Sequence, residues 1–136
     1  NNILSLIPHL TGLLNALKSI NISKELKNKY EADLYLISGD IQYKWTKKLA
    51  LARKYFKLAL EKNNNNHFSS RVLATLLKNL SGACLTMNLL EESLGYCKRS
   101  IELCKTFPDS ELILADNFQI TGTYYRKNND FEKSHK

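Results

Sequence analysis

Small side chains recur in this chain at a fixed interval, and no other feature limits the fold so tightly. Ser93 and Ser100 stand seven residues apart. Ala52 and Ala59, also seven apart, lie 41 residues earlier, and Ser134 follows Ser93 by 41. Seven residues are close to two turns at about 3.6 residues per turn, so each pair lies on one helix face. A helix face of small residues lets another backbone come close. The stretch 74–105 around the two serines reads as one helical hairpin, and its flanks read as copies of it. A single hairpin cannot bury its apolar face alone, whereas stacked hairpins bury a continuous core.

Helical periodicity runs along the whole chain. Pro8 suits a first helical turn, which predicts a helix from about residue 8 with Leu10, Leu13, Leu14, Leu17 and Ile20 on one face. Ser23 reads as the N-cap of a long helix over about 24–43, with Glu25 favourable in its first turn. Leu26, Tyr30, Leu34, Ile37 and Ile41 form the apolar stripe of that helix. Gly39 falls mid-helix, where it costs ~1 kcal/mol against Ala and suits a neighbour packed directly on it. A turn near 44–47 leads to a helix with Leu49, Ala52, Tyr55, Phe56, Ala59 and Leu60, which the Asn run 63–66 ends. Ser69 or Ser70 caps the next helix, with Leu73, Leu76, Leu77, Leu80 and Cys84. A tight turn near Asn88 gives onto Leu90, Ser93, Leu94, Cys97, Ser100, Ile101 and Cys104. Pro108 stops that helix, and Asp109 or Ser110 caps a last long one running to about Lys127. Leu112, Ile113, Phe118, Gly122 and Tyr125 take its packing positions. Asn128 and Asn129 are expected to turn the chain, and Phe131 to begin a further helix.

Composition sets outer bounds. A hydrophobic fraction of 43% with 24% charged residues belongs to a folded domain, not to a disordered chain. Five Gly and two Pro are few for an all-β fold rich in turns. No apolar run approaches the ~20 residues that cross a bilayer, and no signal peptide is visible, so no membrane contact is expected. Three Cys, an odd number without metal spacing, argue for a reducing compartment, nucleus or cytoplasm. Met87 is the only Met, and 130–136 reads as the start of a helix. An excerpt of a longer protein is expected, forming one domain over 1–136.

The segment 115–134, ADNFQITGTYYRKNNDFEKS, resembles a tetratricopeptide repeat without gaps. Phe118 takes the large aromatic position, Gly122 the small one, Tyr125 the next aromatic, Phe131 the aromatic after the turn and Ser134 the small residue of the second helix. Leu80, Ser81, Cys84, Leu90, Ser93, Cys97 and Ser100 fit the same register, as do Gly39, Ala52, Phe56 and Ala59 after one extra residue in the turn. The resemblance implies an all-α, right-handed superhelix of antiparallel helix pairs, an α-solenoid. Its repeats are 32–65, 74–107 and an incomplete 115–136, with 1–31 as a preceding helix and the start of the long helix. Successive starts are 42 and 41 residues apart, roughly two helical turns longer than the family's usual repeat.

That resemblance implies a non-catalytic scaffold for protein–protein contact, with an extended partner segment lying along the first helix of each pair. The concave-face positions are Asp33, Leu36, Asp40 and Tyr43, then Thr75, Lys78 and Leu85, then Asp116, Gln119, Thr123 and Arg126. The carboxylate clamp of chaperone-binding members is not matched: its positions hold Leu36, Asp40, Asn79, Asp116 and Ile120, and two acidic residues would repel a carboxylate. The order Ala52-Arg53…Phe56, LLKNLSG, Glu92-Ser93 and Pro108-Asp109 is similar to the C-terminal repeats of the cohesin-loading factor family. This second resemblance implies an adaptor subunit embracing the extended N-terminus of a large loader subunit. Bacterial peptide-pheromone receptors are also built of long degenerate repeats. The competing readings are therefore a peptide-sensing transcriptional regulator and a repeat segment of a larger enzyme.

Residues that could carry chemistry do not converge. His9, His67 and His135 are far apart in sequence and lack metal-ligand spacing. Cys84, Cys97 and Cys104 fall on helix faces where a free thiol acts as a small buried hydrophobe, and no base is positioned to activate them. No Gly-rich phosphate loop is present. No catalytic activity, cofactor, metal or small-molecule substrate is expected. Asn21-Ile22-Ser23 and Asn79-Leu80-Ser81 match the glycosylation acceptor by chance, the second inside a packed helix. Basic residues gather at Lys44, Lys47, Lys48, Arg53, Lys54 and Lys57, beside Tyr43 and Trp45. DNA or an acidic partner fits that patch electrostatically, but no recognition motif accompanies it, so a solvated face is expected.

Overall fold

Serines at loop ends start two of the helices. Ser23 Oγ accepts a hydrogen bond from the Leu26 N–H at 3.2 Å, and Ser69 Oγ accepts one from the Val72 N–H at 3.2 Å. Both satisfy an N-terminal donor that has no partner within its helix. The computed structural model describes residues 3–63 and 66–134; Asn64, Asn65, His135 and the side chain of Ser134 lie outside the described residues. Among the described residues there are six α-helices and no strand: α1 Leu6–Ser19, α2 Lys24–Ile41, α3 Leu49–Lys62, α4 Ser70–Thr86, α5 Leu90–Cys104 and α6 Glu111–Ser134. The expected all-α class holds. Contacts group the chain into two compact units, Asn1–His67 and Phe68–Lys136.

In the first unit α2 and α3 form an antiparallel hairpin, with α1 packed on α2. The hairpin closes over Gly39. A Cβ at that position would stand 2.6 Å from Cδ1 of Phe56, inside van der Waals contact. Phe56 is fully buried, as are Ala52 and Ala59 on the same helix. Tyr35 and Tyr55 stack with ring centroids 6.1 Å apart, and Tyr43 meets Phe56 edge-on at 6.2 Å. The connection is a π-helical turn, Gln42–Thr46, ended by Lys47 in the left-handed region at φ 58°.

The second unit is a hairpin of α4 and α5 with α6 laid against both. Ser81 and Ser93 let α4 and α5 approach closely. Ser81 Oγ donates to the Ser93 carbonyl at 2.7 Å, and Ser93 Oγ donates to the Ser81 carbonyl at 2.8 Å. Ser100 Oγ donates to the Ala74 carbonyl at 2.7 Å and accepts from Nδ2 of Asn117 on α6 at 2.8 Å. The Cys97 thiol lies 3.3 Å from both the Asn117 carbonyl and Thr121 Oγ1. The serines at the 41-residue interval therefore do more than leave space: they tie three helices together through bonds shielded from water. The α4–α5 turn is compact. Asn88 adopts φ 62°, its N–H donates to the Leu85 carbonyl at 3.0 Å, and the Leu89 N–H donates to the Cys84 carbonyl at 2.8 Å, a left-handed C-cap that Asn tolerates well.

Three expectations are corrected. The apolar stripe of α2 is not its main buried face: Leu26, Tyr30 and Ile37 are exposed and Leu34 is half-buried, while Ile41 is buried. Asn28, Ala32, Gly39 and Gln42 are buried, with Tyr35 between them stacked on α3. That spacing of four, three, four and three is one helix face, and the contacts at Tyr35 and Gly39 place it against α3. It was hidden from a hydrophobicity pattern because a closely approaching helix selects small residues. In the C-terminal helix the expected packing positions Leu112, Phe118, Gly122 and Tyr125 are exposed, while Asn117 and Tyr124 are buried. The chain does not turn at Asn128 and Asn129 either; α6 continues to Ser134. Asn is only a weak helix former, no Gly or Pro follows, and Lys127 anchors the helix by donating to the Leu85 carbonyl at 3.0 Å and Asn88 Oδ1 at 3.1 Å.

Candidate functional site

Parallel packing of α4 and α6 builds the main candidate surface of the second unit. Lys78 Nζ pairs with Asp116 Oδ2 at 3.2 Å, and Lys127 reaches Leu85 and Asn88 at the other end. The two helices thus run in the same direction, start beside start. Asp116, Gln119, Thr123 and Arg126 recur every three or four residues, so they form one stripe of α6. Gln119 and Arg126 are exposed. Thr123 Oγ1 accepts from Arg126 Nη2 at 3.0 Å. On α4, Thr75 and Lys78 are half-buried, and the Thr75 hydroxyl donates to the Arg71 carbonyl at 2.9 Å. Leu85 is buried in the core and presents little side-chain surface to a partner. Its backbone carbonyl is instead a ligand for Lys127.

The remaining positions belong to the first unit. Asp33 is exposed and pairs with His67 Nε2 at 2.8 Å. Leu36, Asp40 and Tyr43 are half-buried. Asp33 also borders an apolar groove of about 330 Å³ with Leu13, Leu17, Tyr30 and Leu34. Of the basic cluster, Lys44, Lys47, Lys48 and Lys54 are exposed, whereas Arg53 and Lys57 are half-buried.

A larger groove, about 750 Å³, lies in the second unit between the start of α5 and the end of α6. Asn88, Leu90, Glu91, Lys127, Asn128, Asp130 and Phe131 line it. Glu91 accepts from the Tyr124 hydroxyl at 2.7 Å on its wall, and that bond, with partial burial, holds the phenol above its ordinary range. The sequence reading missed this groove because it rests on the unbroken course of α6 past residue 128.

The thiols behave as core groups. Cys84, Cys97 and Cys104 are buried and form no disulfide with one another, and burial pushes the Cys97 and Cys104 thiols up. A raised thiol holds its proton and is a poor nucleophile. Asn79 is buried, so that acceptor pattern is unreachable in the fold. Among the described residues no group of His, Cys, Asp and Glu could hold a metal ion, and no helix is long and apolar enough to cross a membrane. Comparison with protein-family models, curated proteins and solved structures finds no match to this chain.

Proposed function

We propose that this chain is a non-catalytic interaction scaffold whose helix pairs stack as a right-handed superhelix and hold an extended segment of a partner protein. The observation that carries the reading is the side-by-side, parallel course of α4 and α6. First helices of successive repeats have this relation, and it brings the rows of Thr75 and Lys78 beside the row of Asp116, Gln119 and Thr123. The register supports it further. Residues 118, 122 and 125 of α6 follow Leu77, Ser81 and Cys84 of α4 by 41. The three α4 residues are fully buried, with Ser81 bonded to α5. The corresponding α6 face is open, with Phe118 61% and Tyr125 58% exposed. A helix pair repeated once more would close it as α5 closes α4.

Within this class the reading is an adaptor of the cohesin-loader type, gripping the N-terminal segment of a large subunit in the nucleus or cytoplasm. Three buried thiols that form no disulfide with one another suit either reducing compartment. The test is affinity purification with quantitative mass spectrometry, comparing the native chain with the Thr75→Glu/Gln119→Glu/Arg126→Glu variant. Loss of the captured partner at an unchanged thermal midpoint is expected. Equal capture by both proteins would place the interaction on another face.

A further inference from the structure

The α2–α3 turn departs from its counterpart in the second unit. Ala52 follows Gly39 by thirteen positions, whereas Ser93 follows Ser81 by twelve. The extra residue is taken up in the π-helical turn Gln42–Thr46; insertions of this kind sit frequently at functional sites. Its consequence is Trp45, the single Trp of the chain, which is held 60% exposed at the tip. Lys44, Lys47 and Lys48 lie within three residues of it in sequence and Lys54 follows on α3, all exposed. Residues 43–60 hold six basic side chains and no acidic one, and the remaining fourteen basic residues nearly balance the thirteen acidic ones. The net charge of +7 is therefore almost entirely the charge of this turn and the helix after it.

We propose that the α2–α3 turn binds single-stranded nucleic acid, with Trp45 stacked on a base and Lys44, Lys47, Lys48 and Lys54 neutralising nearby phosphates. A polyanion meets the charge, and every base has a flat face for the indole. A duplex keeps its bases stacked and so leaves the indole no open base face to cover. An acidic peptide would satisfy the lysines but leave the indole without a complementary surface. An anionic membrane is disfavoured because Trp45 stands alone: Lys44 and Thr46 flank it, and Tyr43 packs on Phe56. The site uses neither the α4 row nor the α6 row of the scaffold reading and stands independently of it.

The test is fluorescence anisotropy of a labelled 20-nucleotide oligo(dT) strand, together with emission from Trp45 itself. Stacking should quench that emission on saturation. Four phosphate contacts on a single strand give a log–log salt slope of about −2.8, so affinity should fall about 50-fold between 50 and 200 mM salt. Trp45→Ala should weaken binding by about 5- to 150-fold, while Trp45→Phe keeps most of it. Lys44→Glu/Lys48→Glu/Lys54→Glu should abolish binding with unchanged helicity and thermal midpoint. Lys98→Glu/Arg99→Glu/Lys105→Glu, in the second unit, should leave it intact. Unquenched Trp45 emission, a Trp45→Ala variant that binds like the native chain, or equal affinity for a 20-base-pair duplex would each overturn the site. So would absence of strand binding alongside binding to phosphatidylserine vesicles.

Discussion

Two glycines show how far a single residue's meaning depends on its neighbour. Gly39 lies under the ring of Phe56, and an added Cβ would be 2.6 Å from it. Because the ring is fully buried, it has no room to swing aside. Gly39→Ala should therefore lose about 1–3 kcal/mol to overpacking, more than the ~1 kcal/mol that alanine gains in a helix. At Gly122 no atom lies within 4 Å of the added Cβ, so Gly122→Ala should gain up to about 1 kcal/mol. Urea unfolding should move the two midpoints in opposite directions. The requirement at Gly39 was legible from the sequence, since a mid-helix glycine asks for a close neighbour. The same reasoning gave Gly122 a neighbour that the described fold does not supply.

The buried thiols give a pH dependence with a definite sign. Burial raises Cys97 and Cys104 above their ordinary value of 9.0; hydrogen bonds with Thr121 and Ser81 oppose this at Cys97, and the Arg71 charge opposes it at Cys104. The unfolded chain then releases these protons at a lower pH than the folded chain. Above pH 9 the unfolded state binds fewer protons, so stability falls as pH rises. It is fully present below about pH 9. The urea midpoint should stay level from neutral pH to that point and fall beyond it, and Cys97→Ala/Cys104→Ala should flatten the first part of the fall. Tyr35, raised mainly by burial, and Tyr124, raised mainly by its bond to Glu91, extend the decline above pH 10.

Among the elements, α4 and α6 test whether equivalent faces carry equivalent energy. Leu77 is fully buried, and Phe118, 41 residues later, is 61% exposed. Leu77→Ala should cost about 2–5 kcal/mol, whereas Phe118→Ser should change stability by no more than about 0.5 kcal/mol. Denaturant unfolding of the two variants measures this directly, and equal losses would mean that α6 buries the stripe the sequence pattern suggested. The positions of α1 to α5, the Ser23 cap, the Asn88 turn and the buried small residues Ala52, Ala59, Ser93 and Ser100 were readable from spacing, whereas the unbroken course of α6 was not. The packed faces of α2 and α6 were not, because those faces are made of Asn28, Ala32, Gly39, Gln42, Asn117 and Thr121. A stripe of small and polar residues carries no hydrophobic signal; only the partner helix shows that it is a contact. The candidate rows were legible as stripes, but the Lys78–Asp116 pair and the burial of Leu85 needed the relation of α4 to α6.

At the scale of the molecule, the two units differ in what holds them. Each has fewer than 70 residues, a size at which only about 60% of the unfolded chain's surface is buried and stability is marginal. In Phe68–Lys136 the core includes Leu76, Leu77, Leu80, Cys84 and Cys97. The serine and Asn117 bonds then join all three of its helices. Among the described residues of Asn1–His67, Phe56 and Ile41 are large apolar side chains at 0% and 3% exposure, Ala32, Ala52 and Ala59 are fully buried, and Leu10, Leu14 and Leu17 of α1 each keep 9%. Burial of apolar area scales with side-chain size, at about 25 cal/mol per Å², so three alanines contribute little of it. The fragment 68–136 should therefore fold alone with a cooperative thermal transition, and the fragment 1–67 should melt broadly and at lower temperature. Native-state hydrogen exchange on the whole chain should show its slowest amides in α4 and α5, where burial and bonded serines coincide. If α1–α3 instead held the most protected amides, the serine network would not be the principal source of stability, and the closely packed Gly39–Phe56 contact would take its place.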